Sequence, residues 1–428
     1  MRVFVGPQEV AGIAAGLVAG LRAIGVAADL HCAYPHPFAY TDQPGRGDER
    51  PAWPLRLWSW AGAQRRSLPR GPRKAGALAL QSLFGWWVLA WALSRYDAFV
   101  FLYGQSITNT ALEGLLLRAA GKRVVAVFVG SDARPPYIDG GLCPADRPFD
   151  AEAAIRAAQR QRRRVARVER YASVCVNAMA TGHFHTRPFV NWFALGIPRA
   201  PAPCPPAPEA GVVRVLHSPS HPLLKGTERI RAAVQRLRQR GVPLELVTIE
   251  GRPNAEVLQA LRDCHLVLDQ LYSDTPMAAF AAEAASLGRP VIVGSCSAHQ
   301  ARMQVGALPL PPTVYINPDD LEPVLESLVA DAGRRRELGA QGARFIAEHC
   351  APALVAQRLM RLLQADIPAE WWCEPRAVTH LPGCGLSDER ARAHVRAVIA
   401  HGGVAALQLS DKPELERAFK VYAEGGAA

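Results

Sequence analysis

Residues 212–240 read VVRVLHSPSHPLLKGTERIRAAVQRLRQR, and this stretch decides the fold. VVRVLHS is a short β-branched run and predicts a buried strand. SPSHPLLKG is polar and proline-punctuated, so it reads as a loop, and 227–240 has helical periodicity. Outward from there the unit recurs. PLELVTIEG predicts a strand and 254–263 a helix; HLVLDQ predicts a strand and 277–287 a helix; RPVIVG predicts another strand. Residues 318–364 read as two or three helices. Upstream, RVFVG (2–6), VAADLH (26–31), DAFVFLYG (97–104), KRVVAVFVGSD (122–132) and SVCVNA (173–178) predict strands, with helices over 10–24 and 151–171.

Strands alternating with helices predict parallel α/β sheets. IPRAPAPCPPAPEAG (197–211) is a proline-rich linker between two such series. The expected architecture is therefore α/β, with two Rossmann-like doubly wound domains facing across a cleft. Residues 1–196 are expected to form the first domain, 197–211 the linker and 212–365 the second domain. Residues 366–428 form an extension, a loop and then a helix, expected to pack back on the core. In such sheets ligands bind outside the carboxyl ends of the strands, here between the domains.

The 428 residues carry a net charge of +11, which favours an anionic partner. No nucleic-acid motif is present, so phosphorylated substrates and anionic membrane surfaces are the expected partners. Nine cysteines without a CxxC pattern point to reduced thiols and a cytoplasmic location. The N-terminus lacks the basic-then-apolar pattern of a signal peptide.

Residues 75–93, AGALALQSLFGWWVLAWAL, carry no charge over nineteen positions and follow Arg65, Arg66, Arg70, Arg73 and Lys74. The run is long enough to span a bilayer. Spanning would put strands of one sheet on opposite sides, so a partly buried helix is expected instead. Trp86, Trp87 and Trp91 with the arginines also fit residues 65–93 resting on an anionic membrane as a peripheral contact. The basic run QRQRRRVARVER in helix 151–171 reads as a solvated face or as one that meets phosphate or lipid.

Two segments carry chemistry. Only five of 49 basic residues are lysines, and Lys225 is the one between Lys122 and Lys412. It precedes a helix start, where free amides and the helix dipole favour an anion. There Lys225 would be a mobile donor to phosphate oxygens, with Ser218 and Ser220 adding hydroxyls. The second segment is LVLDQLYSDTPMAAFAAEAASLGRPVIVG (266–294), whose predicted helix bears one acid, Glu283, among alanines that permit close approach. Glu283 reads as a carboxylate accepting from ribose or sugar hydroxyls, or as a surface pairing residue.

Together these segments resemble the sugar-nucleotide half of GT-B glycosyltransferases, specifically the family 4-like group of retaining enzymes. The resemblance runs from about 212 to 363. It rests on the KGT pattern, on EAASLGRPVI, and on the final helices around LGAQGARFIAEHCAPALVAQRL. It implies that Lys225, with Gly226, contacts the donor diphosphate and that Glu283 holds the donor ribose. It also implies that the loop Thr275, Pro276, Met277, Ala278 and Ala279 touches phosphate and sugar. Two positions depart from the family. Thr275, beside Asp274, stands where a first glutamate is usual, and Ser220 followed by His221 stands where an arginine is usual. The diphosphate is then expected to rely on Lys225, His221 and backbone amides.

The first half is matched through VFVGPQEVAGIAAGLVAGL, whose loop after Gly6 would approach donor or acceptor. It is not a GxGxxG fingerprint. FVGSDARPPY places Ser131, Asp132 and Arg134 at a strand end, as an acceptor-side cluster or as a turn held by an Asp–Arg pair. His183 and His185 are two apart, with an acceptor-side role for His183 set against plain packing; no metal site is expected. No DxD triplet occurs, so no metal-bridged donor and no cofactor beyond the nucleotide-sugar co-substrate is expected. The resemblance implies transfer from a nucleotide sugar to a glycan or lipid-linked acceptor, with retention. The rivals are an epimerase or hydrolase of the same fold and a non-catalytic membrane- or polymer-binding relative.

Overall fold

The computed structural model describes residues 1–34, 52–69, 71–144, 146–200, 202–206, 211–294 and 298–425. Arg70, Cys296 and linker residues 201 and 207–210 lie outside the described residues. The chain forms two sheets flanked by helices. The first contains β1 (Arg2–Gly6), β2 (Ala27–Leu30), β3 (Ala98–Leu102), β4 (Arg123–Val127), β5 (Val174–Asn177) and β6 (Phe189–Asn191). The second contains β7 (Val213–His217), β8 (Leu244–Thr248), β9 (Leu266–Leu268), β10 (Val291–Gly294) and β11 (Val314–Ile316). A last strand, β12 (Trp372–Cys373), returns to the first sheet.

The first sheet has the order β12-β6-β5-β4-β3-β1-β2 and the second β11-β10-β9-β7-β8. Every pairing is parallel except β12 with β6. These are the two parallel α/β sheets expected from the alternation. Strand periodicity sorts the core of the first sheet. Val3, Val5, Val100 and Val125 face one cluster, while Phe4, Phe99, Phe101 and Ala126 face the other.

Several elements went unread. The helical turn Pro222–Lys225 immediately precedes helix Thr227–Gln239, with Gly226 between them in the left-handed region at φ 73°. β6 and β11 are three residues long, and β12 is two, too short for periodicity to register. The tail holds a strand and two helices, Asp388–Gly402 and Pro413–Ala423, rather than a loop and one helix. Both helices pack on the first half. Lys412, buried, donates to the His185 carbonyl at 2.7 Å, and Tyr137 donates to the Leu407 carbonyl at 3.1 Å.

Helix Pro352–Gln364 also crosses back, packing on helix Ile13–Ala23. A β-carbon at Gly20 would stand 2.0 Å from the Pro352 carbonyl oxygen, so only glycine permits that approach. Residues 75–93 lie within helix Pro72–Arg95, which packs on helix Trp53–Ser67. Among the described residues it is the one helix long and apolar enough to cross a membrane. Its buried positions, Ala77, Gln81, Gly85, Val88, Leu89 and Ala92, form one stripe, so the helix is half-buried. β1 sits between β2 and β3, which flank this helix in sequence, and a spanning helix would tear that sheet apart.

Candidate functional site

Strands β7 and β9 are neighbours, and their carboxyl ends bring the two sequence motifs together. His217 ends β7. Its Nδ1 meets the Leu268 carbonyl at 2.9 Å and its Nε2 meets the Thr227 hydroxyl at 2.9 Å, which fixes the loop between them. Burial lowers its pKa, so the ring is neutral near pH 7. Gly226 packs against Leu271, where a β-carbon would come within 2.8 Å of that side chain. The Lys225 carbonyl accepts from the Leu271 amide at 3.0 Å. Lys225 is thereby folded over the end of β9.

The Lys225 side chain is 17% exposed. It lies 3.3 Å from Asp269 Oδ1 and 2.5 Å from Gln270 Oε1. Asp269 is buried, and its Oδ2 has no hydrogen-bond partner among the described residues. Gln270 passes the contact on, donating to the Ser273 hydroxyl at 2.6 Å, and Ser273 donates to the Thr275 carbonyl at 3.0 Å. Helix Ala279–Ser286 then starts without a capping side chain, as does helix Thr227–Gln239. No side chain takes their first-turn amides, which the helix dipole makes favourable to an anion.

Glu283, on helix Ala279–Ser286, is 5% exposed. Asn254 donates to its Oε1 at 3.1 Å, and the Arg199 guanidinium lies 3.6 Å from the same oxygen. Burial raises its pKa; Arg199 and Asn254 pull it down, while the Asp269 charge adds to the rise. Glu283 is thus a buried carboxylate that pairs with an arginine in the interior rather than at a surface, and the Asp269 charge acts on it. Arg199 also donates to the Ala11 carbonyl in the loop after β1. It further lowers the pKa of buried Glu9, which burial itself raises and the Ala14 and Ala15 amides oppose. Arg199 was the one charged side chain among the linker's first prolines, and Asn254 opened a helix after Pro253. Neither position alone signalled this site.

The remaining candidates fall into place around this centre. Ser218 donates to the Ile249 carbonyl at 3.0 Å, while Ser220 and His221 are exposed at the loop's outer edge. Pro276 and Met277 are buried; Thr275, Ala278 and Ala279 are half-buried. Gly6 has φ 156°, and a β-carbon there would stand 2.2 Å from the His31 carbonyl oxygen. Its form is dictated by the close approach of the chain at His31. Among the described residues, no group of three His, Cys, Asp or Glu could hold a metal ion.

On the first sheet, Arg134 does not pair with its near neighbour Asp132. It reaches Asp139 Oδ2 at 2.6 Å and, through Nε, Asp274 Oδ2 at 2.6 Å. Asp274 is therefore occupied and pulled below its ordinary pKa by Arg134, despite its burial. Its carboxylate is not free to replace the absent first glutamate. Asp132 is fully buried, accepts from the Val129 amide at 3.0 Å, and is pushed up to about 6 by desolvation. His183 is fully buried, with Nε2 2.7 Å from the His380 carbonyl oxygen of the tail. Ser131 lies near Arg134, its hydroxyl 3.4 Å from Nη1.

No protein-family model matches the sequence, and no curated protein matches it. Among solved structures, OtsA in its apo form is similar over 86% of this chain and 100% of that one, at TM-score 0.51 and 13% identity. HepE of Anabaena, solved with UDP-glucose, is 12% identical at TM-score 0.48, covering 85% of this chain and 99% of that one. CalG4, the calicheamicin glycosyltransferase, is 14% identical at TM-score 0.40, covering 86% of this chain and 99% of that one. At these identities the likeness is one of fold, and the OtsA match agrees with the two-domain GT-B arrangement.

Proposed function

We propose that this chain transfers a glycosyl unit from a nucleotide sugar to a hydroxyl acceptor, with retention and without a metal. The observation that supports the reading is Asp269 at the end of β9, paired with Lys225 and acting on the buried Glu283, with two uncapped helix starts following β7 and β9. A departing nucleoside diphosphate develops negative charge. Lys225 and the two sets of amides supply preorganised positive charge for it. The diphosphate takes the ammonium from Asp269 and Gln270, which hold it in reserve. Glu283, oriented by Asn254 and Arg199, accepts from the ribose hydroxyls.

As the bond from the anomeric carbon to phosphate oxygen breaks, its electron pair stays on that oxygen. The acceptor oxygen bonds to the anomeric carbon on the same face, and its proton passes to the leaving phosphate. No protein nucleophile is required. Closure of the two domains about residues 197–211 excludes water from the reaction. The protein works in the cytoplasm, resting peripherally on an anionic membrane through residues 65–93, with a glycan or a lipid-linked molecule as acceptor.

The test is incubation with labelled nucleotide sugars and a lipid-linked acceptor extract. Labelled glycan product is the expected outcome. Lys225→Ala should lower turnover by about 100-fold or more, the scale for losing one charge-stabilising donor. Unchanged kinetics in that variant, or free epimerised nucleotide sugar as the product, would overturn the reading.

A further inference from the structure

The first sheet has a crevice of its own. β1 lies between β2 and β3, so the chain leaves β1 toward one edge of the sheet and returns to β3 on the other side. At such a reversal the loops after the two central strands part and leave a space at their carboxyl ends, where ligands bind. A cavity of about 640 Å³ lies there. It is lined by Pro7 and Gln8 after β1, by Ala33 and Tyr34 after β2, and by residues 105–109 after β3. Neither Lys225 nor Glu283 lines it.

One wall is cationic. Arg160, Arg163, Arg164 and Arg167 of helix Ala151–Tyr171 stand at i, i+3, i+4 and i+7, and they line the cavity together with Arg65. Two of these five already have neighbours. Burial raises the pKa of Asp132 and Arg164 lowers it, and Arg65 donates to the Gln81 side-chain oxygen at 2.9 Å. Arg160, Arg163 and Arg167 have no ion pair or side-chain hydrogen bond among the described residues. Arg156 and Arg162 of the same helix, by contrast, pair with Glu152 and Asp411. Like charges at helical spacing weaken a helix, so the three open guanidiniums destabilise it unless an anion meets them. No Asp or Glu lines the cavity among the described residues. Glu113, the acid nearest in sequence to residues 105–109, already accepts from the Ser106 and Thr108 hydroxyls and from the Ile107, Thr108 and Asn109 amides.

The loop facing the arginines is neutral and hydrogen-bonding. The Gln105 side chain and the Asn109 Nδ2 have no partner among the described residues. Guanidinium forks suit phosphate oxygens, and side-chain amides, which both donate and accept, suit hydroxyls. One cavity thus offers both to a single small molecule. Two of its edges also lead toward Glu283. Gln8 is three residues from Ala11, whose carbonyl accepts from Arg199, and Arg199 lies 3.6 Å from Glu283. Asp132, the neighbour of Arg164, is two residues from Arg134, which holds Asp274 in the loop before the Glu283 helix.

We propose that this cavity binds a water-soluble phosphorylated sugar, with the phosphate on Arg160, Arg163 and Arg167 and the hydroxyls on Gln105 and Asn109. Making that sugar the glycosyl acceptor, free or as the end of a glycan, rests on the transferase reading above; the binding site itself does not.

The test is titration of the full-length protein with the 6-phosphates of glucose, galactose and mannose, the three parent sugars, glucuronate and inorganic phosphate. In wild type at least one hexose phosphate should bind about tenfold or more tighter than its parent sugar, glucuronate and inorganic phosphate. Arg163→Gln/Arg167→Gln should weaken that binding about tenfold or more, the scale for losing a charge-assisted hydrogen bond. Gln105→Ala/Asn109→Ala should reduce only the advantage of the hexose phosphate over inorganic phosphate. Wild-type affinity in the arginine variant would overturn the site. Hexose phosphates binding no better than inorganic phosphate would overturn the sugar, and glucuronate binding as tightly as they do would overturn the phosphate. A thermal melt matching wild type checks that each variant folds. Uridine diphosphate, titrated against Lys225→Ala, reads the donor site separately, so failure there leaves the arginine site standing.

Discussion

Arg134 and Asp274, 140 residues apart, form a buried ion pair between the loop after β4 and the loop after β9, with Nε 2.6 Å from Oδ2. Each sheet contributes one partner, so the contact ties the two halves at the point where the cleft should work. Arg134 also holds Asp139, which places it between two buried carboxylates.

Arg134→Met should therefore destabilise the protein by about 3–5 kcal/mol, because two buried acids lose their counter-charge together. Asp274→Asn should cost less, since Asp139 still satisfies the guanidinium. Denaturant unfolding of the two variants checks the order, and the reverse order would remove Arg134 from its central role.

Arg199 lowers the pKa of Glu283 against the rise caused by burial. Arg199→Gln should therefore let the Glu283 pKa rise further, and in the proposed reaction ribose recognition needs the ionised carboxylate. The acid limb of nucleotide binding should move to higher pH in this variant, while affinity well above the limb stays closer to wild type. Binding measured across pH 5–9 reads the shift.

His183 and Asp132 pull stability in opposite directions with pH. Burial lowers His183 to about 3, and His380, Lys412 and Arg134 add to the fall. Unfolded imidazole titrates near 6.5, so this contribution is intact above 6.5 and is lost as pH falls toward about 3. Burial raises Asp132 to about 6 from 3.8, so its contribution is intact below 3.8 and is lost as pH rises through about 6. Between pH 4 and 6 the two slopes cancel, each worth about 1.4 kcal/mol per pH unit. Relative to wild type, Asp132→Asn should make stability rise more steeply with pH in that window, and His183→Gln should make it rise less steeply. Chemical unfolding at pH 4, 5 and 6 supplies both slopes.

Gly20→Ala should destabilise the protein by about 1–3 kcal/mol, because the added methyl meets the Pro352 carbonyl where two helices cross. Gly25→Ala is the control for space, since a β-carbon there meets nothing within 4 Å, although its φ of 79° still carries backbone strain. A larger loss at position 20 than at 25 is the expected result from thermal melts.

Much of the fold was legible because parallel strands buried on both faces must be written as β-branched runs. RVFVG, VVRVLHS and RPVIVG could be little else. The candidate site was legible at Lys225 and Glu283, where a rare lysine and a lone acid stood out from their surroundings. The alternation of runs, the linker and the arginine stripe at helical spacing were equally written in the chain, since each depends on residues close together in sequence. Arg134 with Asp274, Arg199 with Glu283, and the tail's return to β6 pair residues 84 to 184 positions apart. Such pairings are chosen by packing and by the need to neutralise buried charge. Only the tertiary structure decided them, because no local pattern records which distant partner a buried charge will meet.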